Sequence, residues 1–195
     1  MAAHPQYALT PQQYLEQEPR ADWLSEYHDG QVFPVERATL AHVRIVRNLS
    51  GFCIPKFAGH SECEFFTTGL RLWIEAAKSY VYPDLSIICG KLQFADRPQE
   101  SVLNPKVLIE VLSPTTEGYD RGLKFDYYRT LPSVEEYIAV SQDKYQIEQR
   151  VRRNPDHWML TFFSAPEQVL KLESVGIEVP LCEIYRGVDI APPTP

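Results

Sequence analysis

No hydrophobic run in this sequence approaches the roughly 18 residues that a membrane-crossing helix needs. The N-terminus, MAAHPQYALTPQQ, lacks both the basic start and the apolar core of a secretion signal, so the cytoplasm is the expected location. Cysteine is scarce: Cys53, Cys63, Cys89 and Cys182 form no CxxC pair and have no histidines at zinc-site spacing. A structural zinc is disfavoured on that ground, and the four are expected to be buried, reduced thiols. Internal repeats, low-complexity tracts and interdomain linkers are also missing. So is an excess of positive charge, because 19 Lys and Arg face 26 Asp and Glu, for a net charge of -7. Proteins that hold nucleic acid broadly usually carry a basic footprint, which this composition does not advertise, although an acidic total can conceal a local positive groove.

What is present is an ordinary globular composition, 44% hydrophobic and 12% aromatic, which excludes global disorder. A single domain over residues 1–195 is expected, with a flexible arm at 1–9 and a flexible tail at 188–195. Thr10 and Pro11 predict an N-capped helix over about 11–18, closed by Pro19. Asp29-Gly30 between alternating residues predicts a tight hairpin. Residues 39–57 carry apolar positions at helical spacing, with Pro55 expected to bend or end the helix. Strands are expected at 63–67, 70–75, 80–89 and 106–112, with 90–104 a loop between the last two. A helix over 116–129, a buried strand over 136–140, a β-meander through 144–179 and a short helix near 181–185 complete the chain. This order gives an α/β (α+β) domain, a mixed β-sheet flanked by helices with an added C-terminal meander. The strand–helix–strand unit from 106 to 140 should place its two strands parallel.

Two carboxylates interrupt apolar strand sequences, Asp84 in Val81-Tyr82-Pro83-Asp84-Leu85 and Glu110 in Val107-Leu108-Ile109-Glu110-Val111-Leu112. A lone carboxylate there is costly to ionise and needs a cation, a hydrogen-bond network or a raised pKa. Pro83 cannot donate to a ladder, so Pro-Asp implies a break, an edge or simply a turn. Strand alternation puts Glu110 on the face of Leu108 and Leu112, where it either serves a site or pairs with an arginine. On the following helix, spacings of four align Asp120, Lys124 and Tyr128, with Leu123 and Tyr127 on an adjacent apolar stripe. A solvent-facing Asp120–Lys124 pair is the ordinary alternative. Gly118 and Gly122 suggest close approach to another backbone. Two acids 26 residues apart, with a lysine fourteen further on, suggest a shared metal and a charged helper, as in phosphodiester cleavage.

The ordered string Tyr82-Pro83-Asp84, Ile109 to Thr116, Asp120 to Tyr128 and Leu131 to Tyr137 resembles the Uma-type family of proposed restriction endonucleases, within the PD-(D/E)XK nuclease superfamily. The likeness extends to Glu26-Tyr27-His28-Asp29-Gly30 and to residues 181–187. It implies a restriction-endonuclease-like fold in which Asp84 and Glu110 bind Mg²⁺ with help from the Val111 carbonyl, Mn²⁺ being a substitute. It further implies that the lysine usually two residues after the glutamate is displaced to Lys124, since Leu112 stands in its place. Glu26 matches a family glutamate that completes the metal shell or orients a water, and Asp120, Arg121 and Tyr128 match supporting positions. Gln31 replaces the family's glutamate after Asp-Gly. The usual Gly/Ser-rich stretch before His42 reads Glu36-Arg37-Ala38-Thr39-Leu40-Ala41 instead.

The function expected on this basis is metal-dependent DNA endonuclease activity, as a homodimer because two strands require two sites. The alternatives are a catalytically weak nucleic-acid-binding or regulatory module, which the low pI favours, and a metal-dependent hydrolase of a small phosphorylated molecule. A positive cleft at Asp84 would favour nucleic acid, and a closed acidic pocket a small substrate. Arg150, Arg152 and Arg153 could track phosphates or merely keep an edge strand soluble. Trp23, Trp73 and Trp158 are expected as core or interface anchors rather than stacking platforms. Lys124→Ala is expected to stop cleavage while leaving the fold intact.

Overall fold

A computed structural model describes residues 8–58, 62–96 and 100–190. The flanks of the expected arm and tail, 1–7 and 191–195, lie outside the described residues. Leu9 is tied down, its amide donating to the Gly30 carbonyl at 3.0 Å while its own carbonyl accepts from the Tyr27 hydroxyl at 2.8 Å. At the other end, Val188 and Ile190 pack on the core.

Helix α1 (Pro11–Gln17) starts at a capping box, in which the Thr10 hydroxyl accepts from the Gln13 amide and the Gln13 side chain accepts from the Thr10 amide. Strands β1 (Ser25–His28) and β2 (Gln31–Pro34) form the expected hairpin. Asp29 and Gly30 both take positive φ, 41° and 99°, as the tight turn between twisted strands demands. Helix α2 (Leu40–Phe57), capped by Thr39, runs through Pro55 rather than stopping there.

Strands β3 (Cys63–Phe66), β4 (Arg71–Ile74), β5 (Ser79–Val81), β6 (Leu85–Cys89), β7 (Ser101–Val102), β8 (Val107–Leu112), β9 (Glu136–Ser141), β10 (Ile147–Asn154) and β11 (His157–Phe163) follow. With β1 and β2 they form two sheets, a six-stranded one in the order β11-β10-β9-β8-β6-β3 and a five-stranded one in the order β2-β1-β5-β4-β7. The stretch expected as a single strand over 80–89 is thus two strands in different sheets. Pro83, which has no amide hydrogen, and Asp84 occupy the crossing between them. The expected loop over 90–104 also contains β7, which pairs parallel with β4.

Strands β8 and β9 are parallel, as the strand–helix–strand unit requires, and their other neighbours in the six-stranded sheet are antiparallel. The segment expected to meander does so in two parts. Strands β10 and β11 extend the central sheet, while β12 (Val169–Leu172) and β13 (Ile177–Pro180) form a separate hairpin leading into helix α5 (Leu181–Ile184). Alternation along β8 sets the two layers. Val107, Ile109 and Val111 join a core with Ile45, Leu49 and Cys53 of α2 and with the β12–β13 hairpin. Leu108 and Leu112 join a second core with Tyr128, Leu131 and Tyr137, shared with Leu72 and Val81 of the other sheet.

Between β8 and β9 lies a helical rod made of α3 (Glu117–Tyr119), a π-helical turn (Asp120–Lys124) and α4 (Phe125–Tyr128). Isolated π turns of this kind recur at functional sites. Its buried stripe is the polar one: Asp120, Lys124 and Tyr128 are all buried, whereas Leu123 is 49% exposed. A Cβ on Gly118 or Gly122 would meet nothing within 4 Å, so neither glycine serves the close backbone approach expected of it.

The expectation of buried, reduced thiols fails for three of the four cysteines. Cys63 and Cys89 stand directly opposite each other across β3 and β6, with Cα atoms 3.9 Å apart, and form a disulfide. Cross-strand opposition supplies the proximity that sequence spacing did not reveal. Cys53 is a buried free thiol as expected, while the free thiol of Cys182 is exposed. No described helix is long and apolar enough to cross a membrane.

Candidate active site

The two sheets and the rod meet around a cleft of about 740 Å³, and all of Glu26, Asp84, Glu110, Val111 and Lys124 line it. They arrive from four places in the fold: Glu26 from β1, Asp84 from the crossing between sheets, Glu110 and Val111 from β8, and Lys124 from the π turn. Asp84 is oriented by donors on both oxygens. The Val111 amide donates to Oδ2 at 2.8 Å, and His42 Nε2, from the first turn of α2, lies 3.0 Å from Oδ1. The Asp84 amide in turn donates to Glu110 Oε2 at 3.3 Å, which fixes the two carboxylates side by side.

Lys124 is clasped between two glutamates, with Nζ 3.1 Å from Glu26 Oε1 and 3.1 Å from Glu110 Oε1; Asp120 Oδ1 lies 3.8 Å away. The ordinary alternative of a solvent-facing Asp120–Lys124 pair does not hold, since the side chains of both are only 7% exposed. Glu110 has no arginine partner among the described residues. Besides Lys124, its Oε1 accepts from the Tyr128 hydroxyl at 2.7 Å.

One ammonium cannot satisfy both glutamates equally, and their titration separates accordingly. Burial works against the Glu26 anion, but Lys124, His28 and the Tyr82 amide outweigh it and hold the carboxyl down at about 2. Burial pushes Glu110 up to about 8; Lys124 opposes that rise, while Asp84 and Asp120 reinforce it. Burial also disfavours the Lys124 cation, yet Glu110 and Glu26 more than compensate and keep it an ammonium well above the usual lysine range. Lys124 is therefore a fixed positive charge and a donor, not a base.

Glu26, expected to complete a metal shell or orient a water, has both oxygens committed. Oε1 binds Lys124 and accepts from the Tyr82 amide at 3.1 Å; Oε2 accepts from the Tyr119 hydroxyl at 3.1 Å and lies 3.3 Å from His28 Nε2. Sequence reasoning left His42 without a role and overlooked His28 and Tyr119. The signal for His28 was available: it stands two residues after Glu26 on one strand and so shares its face. Arg121 bridges Glu117 and Glu148 instead of entering the cleft, with its Nε 2.6 Å from Glu148 Oε1.

The donor set suits a hard divalent cation. Asp84 and Glu110 present carboxylate oxygens at one place, and Glu110 there remains under-compensated despite Lys124, a deficit that a cation would relieve. Among the described residues no three His, Cys, Asp or Glu side chains are already grouped as a metal cage. Mg²⁺ commonly uses one or two carboxylates and retains its waters, so no such cage is required.

Residues 11–181 match the model of the family Uma2, described as "Putative restriction endonuclease". The chain belongs to the Uma2 family. Two Synechocystis sp. proteins (strain ATCC 27184 / PCC 6803 / Kazusa) are among its relatives. The uncharacterized protein sll1609 is 37% identical over 153 residues, 78% of this chain and 86% of that protein. The uncharacterized protein slr1290 is 32% identical over 182 residues, 92% of this chain and 93% of that protein. The fold is similar to the crystal structure of a "putative nuclease belonging to DUF820" from Anabaena variabilis ATCC 29413, with a TM-score of 0.74 at 14% identity. That likeness covers 91% of this chain and 97% of the other. Family and fold together make this Uma2 member nuclease-like.

Proposed function

We propose that the chain is a metal-dependent endonuclease that hydrolyses phosphodiester bonds in DNA. The observation that carries this reading is the Lys124 ammonium held between Glu26 and Glu110, beside Asp84, on the wall of an open cleft. Asp84 and Glu110 would hold Mg²⁺ or Mn²⁺ together with the Val111 carbonyl. The cation, when bound, supplies charge neutralisation for the nonbridging phosphate oxygens and lowers the pKa of a bound water.

The protein's own groups do the rest. Val111 and His42 orient Asp84 through its two oxygens, so it needs no reorganisation on binding. Lys124 directs a permanent positive charge towards a phosphate lying against the carboxylates, where charge grows in the transition state. Glu26, anchored by Tyr82, Tyr119 and His28, is a positioning residue that fixes the ammonium. Tyr128 does the same for Glu110. Cutting both strands of a duplex takes two such sites, which a homodimer would supply.

The test is incubation of the purified protein with supercoiled and linear DNA over a range of Mg²⁺ and Mn²⁺ concentrations, beside Asp84→Asn. Cleavage by the parent and none by the variant is the expected result. Equal cleavage by both would refute the assignment. The acidic cleft lining favours a second reading, a hydrolase of a small phosphorylated molecule. Turnover of a phosphodiester dinucleotide with none of polymeric DNA would select it.

A further inference from the structure

Next to the carboxylate–lysine cluster the cleft wall is aromatic. The His28 ring lies among Phe33, Tyr127 and Tyr119, with centroids 5.5, 5.7 and 5.8 Å away. All four rings line the cleft. They abut the cluster directly, because His28 and Tyr119 both contact Glu26 Oε2. Phe33, on edge strand β2, is 46% exposed, and Leu24 and Leu123 continue the apolar surface at 38% and 49%.

The charge of this lining is of the wrong sign for gripping a duplex. Among the described residues six carboxylates face the cleft, against Arg37 and Lys124, and Lys124 is already engaged by Glu26 and Glu110. The arginines that could have tracked phosphates are occupied elsewhere. Arg150 lies over Phe125 and pairs with Glu148, Arg152 donates to the Arg129, Leu131 and Val134 carbonyls, and Arg153 pairs with Glu173. A duplex displays phosphates and hides its bases, so it needs free cations on the protein. Phe33, exposed beside the part-buried His28, Tyr119 and Tyr127, offers a π face to an unstacked base, a contact that a duplex with its bases hidden does not gain.

We infer that the nucleic acid enters this cleft as a single strand, one base stacking on Phe33 and Tyr127 while its neighbouring phosphate reaches Asp84, Glu110 and Lys124. The inference rests on the nuclease reading of that cluster and specifies its substrate. A cleft of about 740 Å³ accommodates a nucleotide with its flanking phosphate.

Fluorescence anisotropy of the full chain in EDTA separates binding from turnover. The probes are a labelled 12-residue single strand, its blunt duplex and an abasic strand of equal length. The single strand should bind at least tenfold more tightly than either of the others. Phe33→Ala should weaken it by about 5- to 150-fold, the effect of losing one stacked base. Phe33→Trp should retain it, and an unchanged melting temperature in both variants would exclude a folding defect. Equal affinity for the duplex or the abasic strand, an unaffected Phe33→Ala, or no binding to any probe would overturn the inference. A strand bound through its bases yet uncut with Mg²⁺ or Mn²⁺ would refute the nuclease reading and leave the stacking site standing. Cleavage of duplex without preference for single strands would do the opposite.

Discussion

Replacing Lys124 by Met keeps the length of the side chain and removes its charge, and the surroundings of Lys124 set a large cost. Each 3.1 Å contact with Glu26 and Glu110 is worth about 5 kcal/mol at an effective dielectric constant near 20, before the desolvation of three ions is subtracted. Removing one member of a buried ion cluster typically destabilises by about 3–5 kcal/mol, because the remaining charges are left buried without a partner. For a chain of this size that lowers the melting temperature by roughly 6–20 °C. The sequence expectation that Lys124 could be removed without harm to the fold is therefore corrected by its burial, 5% exposed. The deficit should depend on pH. With no ammonium, Glu110 loses its main opposing charge and its folded carboxyl rises further above the usual 4.5, while Glu26 loses the largest of the groups that hold it down and keeps only His28 and the Tyr82 amide. An acid raised in the fold contributes stability that is full below its unfolded pKa and is lost as pH rises through its folded one. Lys124→Met should thus approach the parent below about pH 4.5 and fall furthest behind it near pH 8 and above. Urea unfolding of both proteins at pH 4.5, 6 and 8 measures this, and adding Glu110→Gln to the variant should recover part of the loss. A deficit below about 1 kcal/mol at pH 8, or one that does not change with pH, would refute the clasp.

Mg²⁺ or Mn²⁺ should raise the melting temperature of the parent, and Asp84→Asn combined with Glu110→Gln should abolish the rise; an equal shift in the double variant would place the cation elsewhere. Alkylation of the unreduced, denatured protein should label only Cys53 and Cys182, with Cys63 and Cys89 joining after reduction. Labelling of all four without reductant would show that the cross-strand pair is open.

Local signals made much of the architecture legible. Asp-Gly set the hairpin, Thr10 with Pro11 the first cap, and an ionisable group among five apolar neighbours singled out Glu110. The stripe of Asp120, Lys124 and Tyr128 was also visible, but not its burial. Helical spacing shows which residues share a face and says nothing of where that face points. In this rod the polar face turns inward, towards Glu26 and Glu110, and the apolar Leu123 lines the cleft. The separation into two sheets escaped because β5 and β6 read as one apolar run in which Pro83-Asp84 marks a break, an edge or a turn without saying which. The disulfide and the His42–Asp84 contact escaped because both join residues distant in sequence, brought together by register and helix placement that no local pattern encodes.

The crossing at Pro83-Asp84 bears on how the site comes into being during folding. Glu26 belongs to one sheet, Glu110 to the other, and Asp84 to the joint; Lys124 touches a glutamate from each side. No single hairpin or helix–strand unit contains a working fragment of this arrangement. Both layers must be seated on each other before the ammonium has two partners. A partly folded chain carries the same residues at the same spacings and has no site.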